Sequence, residues 1–246
     1  MVRSVKKAMI LAAGLGTRLR PITDTIPKPL VAVGGRTMLD RSLDLAVEAG
    51  VEEAVVNVHY LADRIVAHCK GREKPAIVIS DETEKILETG GGVVKALPLL
   101  GSDPFLLLNA DTFWVEWGGP NLAAMIEAFD PARMDILLML CRLADTTGHN
   151  GGGDFLMDQE GRLTRLSDKS DPAGLLYAGA TIYDPAIFEG TAAEPHSLNL
   201  YYDRAIAQGR LFGHVMTDGH WFTVGTPEAL PAAEAKLRDL QAASAD

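Results

Sequence analysis

Ala8-Met9-Ile10-Leu11-Ala12-Ala13-Gly14-Leu15-Gly16-Thr17-Arg18-Leu19-Arg20-Pro21 (residues 8–21) runs from an unbroken apolar segment into a glycine turn followed by two arginines. Six consecutive apolar residues that stop at a glycine read as a strand buried on both faces, the kind found in a parallel sheet. A strand that ends in small residues and glycines lets a polyanion come close to the backbone, where successive N–H groups can cradle phosphate. The turn is not a P-loop, because GxxxxGK[ST] is missing. It also fails the dinucleotide fingerprint, because Leu19 occupies the third glycine position. Further on, Pro27-Lys28-Pro29-Leu30 sets a lysine between two prolines. The flanking rings predict a stiff, extended backbone that aims one cation.

Outward from this segment, helices and strands alternate. Apolar spacing predicts a helix over 37–49 that stops at Gly50, a strand over 54–58, a helix over 61–69 and a strand over 76–79. A helix over 91–100, a strand over 105–109, a helix over 121–129 and a strand over 135–141 follow. Such alternation indicates an α/β fold: a Rossmann-like, doubly wound sheet with helices on both faces. From 154 to 183 the pattern changes to short strands with turn signals, of which Gln159-Glu160-Gly161 is the clearest. This predicts a small antiparallel insert in an otherwise parallel, hence mixed, sheet. Helices return over 198–208 and 227–241. No linker composition or internal repeat interrupts the chain, so one domain over 1–246 is expected.

The 246 residues carry 23 Lys and Arg against 33 Asp and Glu, a formal charge of −10. An acidic chain lacks the basic footprint that nucleic acid or an anionic membrane surface demands, so neither is an expected partner. Phosphate chemistry must then depend on local cations. The two cysteines, Cys69 and Cys141, belong to no CxxC or Cys/His cluster. No apolar run approaches the roughly 20 residues that a bilayer requires. The basic start, residues 1–7, leads directly into the glycine turn rather than into a signal-peptide core. The expected compartment is the cytoplasm.

LAAGLGTRLRPITDTIPKPL (residues 11–30), together with Glu88-Thr89-Gly90-Gly91-Gly92, Asn109-Ala110-Asp111 and residues 221–226, resembles the signature of the sugar-1-phosphate nucleotidyltransferases. These join a nucleoside triphosphate to a sugar 1-phosphate and release pyrophosphate. The resemblance covers nearly the whole chain. Within the family, the pairing of ETGGG with a short C-terminus is similar to the uridylyltransferases of N-acetylmuramate 1-phosphate, which serve peptidoglycan recycling. Guanylyl- and thymidylyltransferases of mannose, heptose or glucose 1-phosphate are the neighbouring alternatives. A regulator that binds sugar nucleotides without catalysis is a third.

The resemblance implies roles residue by residue. Leu11, Ala12, Ala13, Gly14, Gly16, Thr17 and Arg18 form the nucleotide loop, with backbone amides on the triphosphate and Arg18 on the departing pyrophosphate. Lys28 bridges the α-phosphate region. Glu88, Thr89 and Gly90 line the base pocket, with Asn57 and His59 as further possibilities. Asp111 is the ligand for Mg²⁺, although an aspartate at a strand end can equally cap a turn. Asn109, Gly153, Asp154 and Tyr177 contact the sugar, and Lys169 its phosphate; Trp114 and Trp117 stand close enough in sequence to stack on the ring. The chain departs from the family in one place. The usual Trp-x-Asp-x-Gly-Thr reads Trp221-Phe222-Thr223-Val224-Gly225-Thr226, with Thr223 in place of the second carboxylate. Either a single carboxylate then suffices, or Asp218 or another group moves in, or activity is reduced. Arg18, Lys28 and Asp111 are the expected catalytic residues, UTP and a sugar 1-phosphate the expected ligands, and a monomer the expected state.

Overall fold

Side chains alternate between the two faces of a strand, so a strand that is apolar at every position must be covered on both sides. This holds for residues 8–11 of β1 (Lys7–Leu11), which sits near the middle of the sheet. In the computed structural model, which describes residues 5–243, it is followed by the short pair β2 (Ala32–Val33) and β3 (Arg36–Thr37), then α1 (Met38–Glu48), β4 (Glu53–Val58) and α2 (Ala62–Cys69). Next come β5 (Ala76–Asp81), α3 (Glu88–Leu100), β6 (Phe105–Asn109), β7 (Thr112–Glu116), α4 (Asn121–Ala128) and β8 (Ile136–Arg142). The chain continues through β9 (Thr146–Thr147), β10 (Phe155–Met157), β11 (Leu163–Arg165), β12 (Leu175–Tyr183), α5 (Asn199–Ala207), β13 (Leu211–Val215), β14 (Gly219–Thr223) and α6 (Ala229–Ala243). Residues 1–4 of the basic N-terminal stretch lie outside the described residues.

The main sheet has nine strands, in the order β11-β10-β12-β6-β1-β4-β5, with β8 joined to β12 and β13 joined to β8. Strands β6, β1, β4 and β5 are parallel, whereas β12 runs antiparallel to β6 and β8. The chain leaves β1 for β4 and β5 on one side and returns to β6 on the other. That reversal opens a crevice at the carboxyl ends of the strands, where ligands of open α/β sheets gather. Ala8 and Ile10 pack with Ala54, Val56, Leu106 and Leu108 under α1, α2 and α4. Met9, Val55, Phe105 and Leu107 pack under α3 and α5 on the opposite face. The doubly wound expectation is therefore met, and the mixed sheet with it.

Two differences from the sequence reading have physical causes. Helix α3 begins at Glu88 rather than at residue 91, so the three glycines form its first turns instead of a loop ahead of it. Helix propensity opposes this, and close tertiary packing overrides it, as shown below. The other difference is a second sheet, β7-β14-β9, which the sequence reading missed. Thr112-Phe113-Trp114-Val115-Glu116 is rich in strand formers, but only Ala110 and Asp111 separate it from β6. The eye reads the two as one motif. This small sheet has its own core, where Phe113 stacks on Phe222 at 4.6 Å beneath Leu237 of α6. The 154–183 insert is antiparallel as expected, but β12 is no separate piece: it is a full member of the main sheet.

Candidate active site

The crevice holds a cavity of about 450 Å³ across the carboxyl ends of β6, β1, β4 and β5. Leu11, Ala12, Ala13 and Gly14 form its wall at β1, Asn109 and Asp111 at β6, and Glu88 and Thr89 at the start of α3. Lys28 and Pro29 close it from the side.

The glycine loop is held at two points. The Ala12 N–H donates to Asn57 Oδ1 at 2.7 Å. The Thr23 hydroxyl donates to the Gly16 carbonyl at 2.8 Å, and the Tyr60 hydroxyl in turn donates to the Thr23 carbonyl at 2.9 Å. Gly16 has φ +63°, and a Cβ there would come within 3.0 Å of Thr23 and 3.1 Å of Lys28, so only glycine serves. Among the described residues no protein acceptor meets the N–H groups of Ala13 through Arg18. A run of unpaired amides on a glycine turn is the raw material of an anion nest. The Ala12 amide, expected to join that set, is already bonded to Asn57. Gly16, Thr17 and Arg18 do not line the cavity; Thr17 and Arg18 are exposed in a 3₁₀ turn beyond it.

Lys28 Nζ donates to Asp111 Oδ2 at 2.7 Å, and the lysine side chain is only 13% exposed. Two residues distant in sequence thus meet as an ion pair at the mouth of the cavity. The backbone at Lys28 is not extended as the prolines suggested. It opens a 3₁₀ turn, Lys28–Leu30, closed by Leu30 N–H to the Pro27 carbonyl at 2.8 Å. Asp111 stands in the turn from β6 to β7, and Thr112 pairs with Thr223 across the small sheet. Thr223 is therefore one residue of register away from Asp111. Asp218 is no substitute for the missing carboxylate: it sits at the other end of β14, where its carbonyl accepts from the Trp117 N–H. Among the described residues no three His, Cys, Asp or Glu side chains gather as a metal site. The donor set near Asp111 is one carboxylate with a neighbouring amide, Asn109, and a hydroxyl in register, Thr223.

Of the residues expected around a sugar, Asn109 lines the cavity, whereas Gly153, Asp154, Lys169 and Tyr177 form a cluster of their own outside its wall. Lys169 Nζ donates to the Gly153 carbonyl and lies 3.5 Å from Asp154 Oδ1, while Asp154 Oδ2 accepts from the Tyr177 N–H at 3.1 Å. The Tyr177 phenol bonds Thr181 at 2.7 Å, and burial raises its pKa well above the ordinary range. Between Tyr177 and Thr181 the ladder to β8 slips, and Gly179 in this bulge has φ +85°. A Cβ there would meet the Thr112 hydroxyl at 2.3 Å and Asn109 at 3.3 Å. The bulge thus sets the cluster beside the Asn109–Asp111 edge of the cavity. The two tryptophans expected to stack on the ring, Trp114 and Trp117, do not face this cluster. Trp114 is buried, with its indole N–H on Glu116, and Trp117 is 58% exposed at the far end of the hairpin.

The cavity also contains residues that the sequence reading passed over: Glu82, Ile86 and Ser197. Glu82 is only 1% exposed. Asn57 Nδ2 donates to its Oε1 at 2.8 Å, and no donor reaches its Oε2 in hydrogen-bond geometry. Burial raises the pKa of this carboxyl, against the opposing pull of the Asn57 amide and the Leu87 backbone. His59 does not line the cavity; its Nδ1 bonds the Glu82 carbonyl at 2.6 Å. Gly90, likewise absent from the wall, faces a different neighbour. A Cβ on Gly90 would strike the His196 ring at 2.5 Å, and one on Gly91 the Glu194 carbonyl at 2.2 Å. A Cβ on Gly92 would strike Glu82 Oε1 at 2.8 Å. The glycine triplet is therefore a packing surface for segment 194–197 and for the Asn57–Glu82 pair.

The chain is 45% identical to N-acetylmuramate alpha-1-phosphate uridylyltransferase of Caulobacter vibrioides, over 97% of its own length and 100% of that protein. It is 34% identical to the enzyme of the same name from Neisseria meningitidis serogroup B, over 93% and 97%. A crystal structure of UDP-glucose pyrophosphorylase with UDP-glucose superposes with a TM-score of 0.76 at 20% identity, over 96% of this chain and 99% of that one, and so shows a shared fold. The nucleotidyl transferase profile matches residues 7–239. Loop, crevice, sheet order and sequence likeness agree, and the chain belongs to the nucleotidyl transferase family.

Proposed function

We propose that the chain, working as one domain and as a monomer, transfers the uridylyl group of UTP to N-acetylmuramate 1-phosphate and releases pyrophosphate. One observation carries the chemistry: the Lys28–Asp111 ion pair at 2.7 Å, set between an anion nest and the Gly153–Asp154–Lys169–Tyr177 cluster. The choice of base and sugar is supported by the near full-length likeness to the Caulobacter enzyme. The free amides of residues 13–18 receive the triphosphate, and Arg18 folds in from solvent onto the pyrophosphate. Glu88 and Thr89 border the base. Asn109 and the Tyr177 cluster orient the sugar, with Lys169 near its phosphate.

In the reaction a phosphate oxygen of the sugar phosphate bonds to the α-phosphorus, while the bond to the pyrophosphate oxygen breaks on the opposite side. The nucleophile is already an anion, so no covalent enzyme intermediate is required. Lys28 leaves Asp111 for the α-phosphate and steadies charge there as transfer proceeds. Asp111 would hold a divalent metal ion, with the Asn109 amide and the Thr223 hydroxyl as the other polar groups beside it. Mg²⁺ fits a site with one carboxylate, because it usually takes one or two such ligands plus phosphate and water. When bound, the metal neutralises phosphate charge and aligns the reacting groups. We place the reaction in the cytoplasm, in peptidoglycan recycling; no helix of the described residues is long and apolar enough to cross a membrane.

The test is pyrophosphate release with Mg²⁺, four nucleoside triphosphates being crossed with a panel of sugar 1-phosphates. Release should be fastest with UTP and N-acetylmuramate 1-phosphate. Faster release with another pair would replace the substrate assignment. Nucleotide binding without release for any pair would overturn the catalytic reading and leave a binder.

A further inference from the structure

Strand β12 breaks its ladder in the middle. Tyr177 pairs with Leu140 of β8 and Thr181 with Leu138, so four steps along β12 match two along β8. The surplus is taken up around Gly179. Tyr177 and Thr181 are thereby brought as near as next-but-one neighbours on one face of a regular strand, roughly 7 Å at about 3.4 Å per residue. Their hydroxyls meet across the bulge at 2.7 Å. Two more hydroxyls close the group. The Tyr183 hydroxyl donates to Tyr202 of α5 at 3.1 Å. Tyr202 also hydrogen-bonds Tyr177, and Thr181 hydrogen-bonds Tyr183. The Tyr202 ring lies parallel to Tyr183 and meets Tyr177 edge-on. A hydroxyl carries one proton to donate, so in this closed ring of four every proton is used by a neighbour. Thr181 and Tyr183 are fully buried, and Tyr202 nearly so. In such surroundings the members of a ring strengthen one another, and opening it leaves buried hydroxyls unpaired.

The bulge that the ring braces touches the crevice from behind. The Ala178 carbonyl accepts from the Trp221 indole at 2.8 Å and from the Thr112 hydroxyl at 3.4 Å. Gly179 lies against Asn109 and Thr112, which flank Ala110 and Asp111 in the turn from β6 to β7. Thr181 has no exposed surface, so it cannot meet a ligand itself. We infer that Thr181 is a positioning residue for the sugar phosphate: through the Tyr177 phenol it holds the bulge, and the bulge holds Asn109 and the turn that bears Asp111. The Tyr177 hydroxyl belongs to this brace, and contact with the sugar is left to the rest of that half-buried residue. The inference rests on the proposed reading of this end of the crevice as the sugar-phosphate site.

The experiment is a double-mutant cycle read by kinetics and by NMR. Thr181→Val keeps the shape of the side chain and removes its hydroxyl, and Tyr177→Phe removes the partner. Each should raise KM for the sugar phosphate that the wild type uses best by about five- to tenfold, the scale of one lost hydrogen bond. The double variant should be no worse than either single one, because the same bond is lost once. In Thr181→Val, KM for UTP should stay within about twofold of the wild type, a split that general loosening of the fold would not produce. Thr181→Ser, which keeps the hydroxyl, should restore the wild-type KM. In the ligand-free protein, the Asn109 side-chain amide signals should move in Thr181→Val and stay in place in Thr181→Ser. Effects that multiply in the double variant would mean that the phenol meets the sugar directly, and would overturn the proposal. So would a wild-type KM in Thr181→Val, or Asn109 signals that do not move. If Thr181→Val does not fold, Tyr202→Phe opens the same ring from α5, and the same outcomes decide. The Asn109 signals are read without substrate, so failure of the brace and failure of the proposed reaction are told apart.

Discussion

Lys28 reaches Asp111 across 83 positions of sequence, yet both were legible as single residues. Each sits in a short motif that resembles the family's, Pro27-Lys28-Pro29-Leu30 and Asn109-Ala110-Asp111, and the resemblance rather than the local pattern singled it out. Glu82 was not legible. Asp81-Glu82-Thr83-Glu84-Lys85 reads as a solvated charged turn, and nothing local says that one of its acids is buried against an asparagine 25 residues earlier. Ser197 was hidden for the same reason, since it borders the cavity only because segment 194–197 folds back on α3. The two legible residues give the sharpest test at this scale. Lys28→Met and Asp111→Asn should each lower kcat by about 10²–10³ or more, as removal of a group that acts on developing charge does. Neither should lower the unfolding midpoint by more than a surface substitution would, because the pair is open to water on the Asp111 side. Stopped-time pyrophosphate assays beside thermal melts check both halves, and a variant with wild-type turnover would remove that residue from the machinery.

At the scale of elements, periodicity located the strands and helices of the main sheet, because a strand covered on both faces must be apolar throughout and an amphipathic helix must repeat. It failed where packing overrode propensity. Three glycines in the first turns of α3 are unfavourable for a helix by roughly 1 kcal/mol each relative to alanine. They are retained because the His196 ring, the Glu194 carbonyl and the Asn57–Glu82 pair lie where their side chains would be. Gly91→Ala should therefore destabilise the protein by about 1–3 kcal/mol, the usual cost of an overpacked site, despite raising intrinsic helix propensity. Its obstacle is a backbone carbonyl, which cannot swing aside. Because displacing segment 194–197 also moves Ser197, KM for the nucleotide should rise with it. Gly225→Ala, where a Cβ would meet nothing within 4 Å, should stay within about 0.5 kcal/mol of the wild type. Denaturant melts of the two proteins compare these costs, and equal stability would show that segment 194–197 yields freely.

On the scale of the whole molecule, two sheets share the site. The nine-stranded sheet supplies the cavity, and the small sheet, unpredicted from sequence, carries Thr223 beside Asp111 and sends its indole into the larger one. The Trp221 N–H donates at 2.8 Å to the Ala178 carbonyl, in the very bulge that presses on Asn109 and Thr112. This hydrogen bond makes Trp221 an optical gauge of the proposed sugar end of the crevice. Indole emission follows the polarity and hydrogen bonding around the ring, and of the three tryptophans only Trp117 is solvent-exposed. Trp117→Phe should remove the red, easily quenched component and leave two buried emitters. Adding N-acetylmuramate 1-phosphate to that protein should shift its fluorescence, and Trp221→Phe should remove most of the shift, leaving only what its cross-strand partner Trp114 contributes. A spectrum unmoved by the sugar phosphate would mean that the bulge is rigid. A response that follows Trp221 would let binding at this end be followed in real time, in unlabelled protein and without turnover.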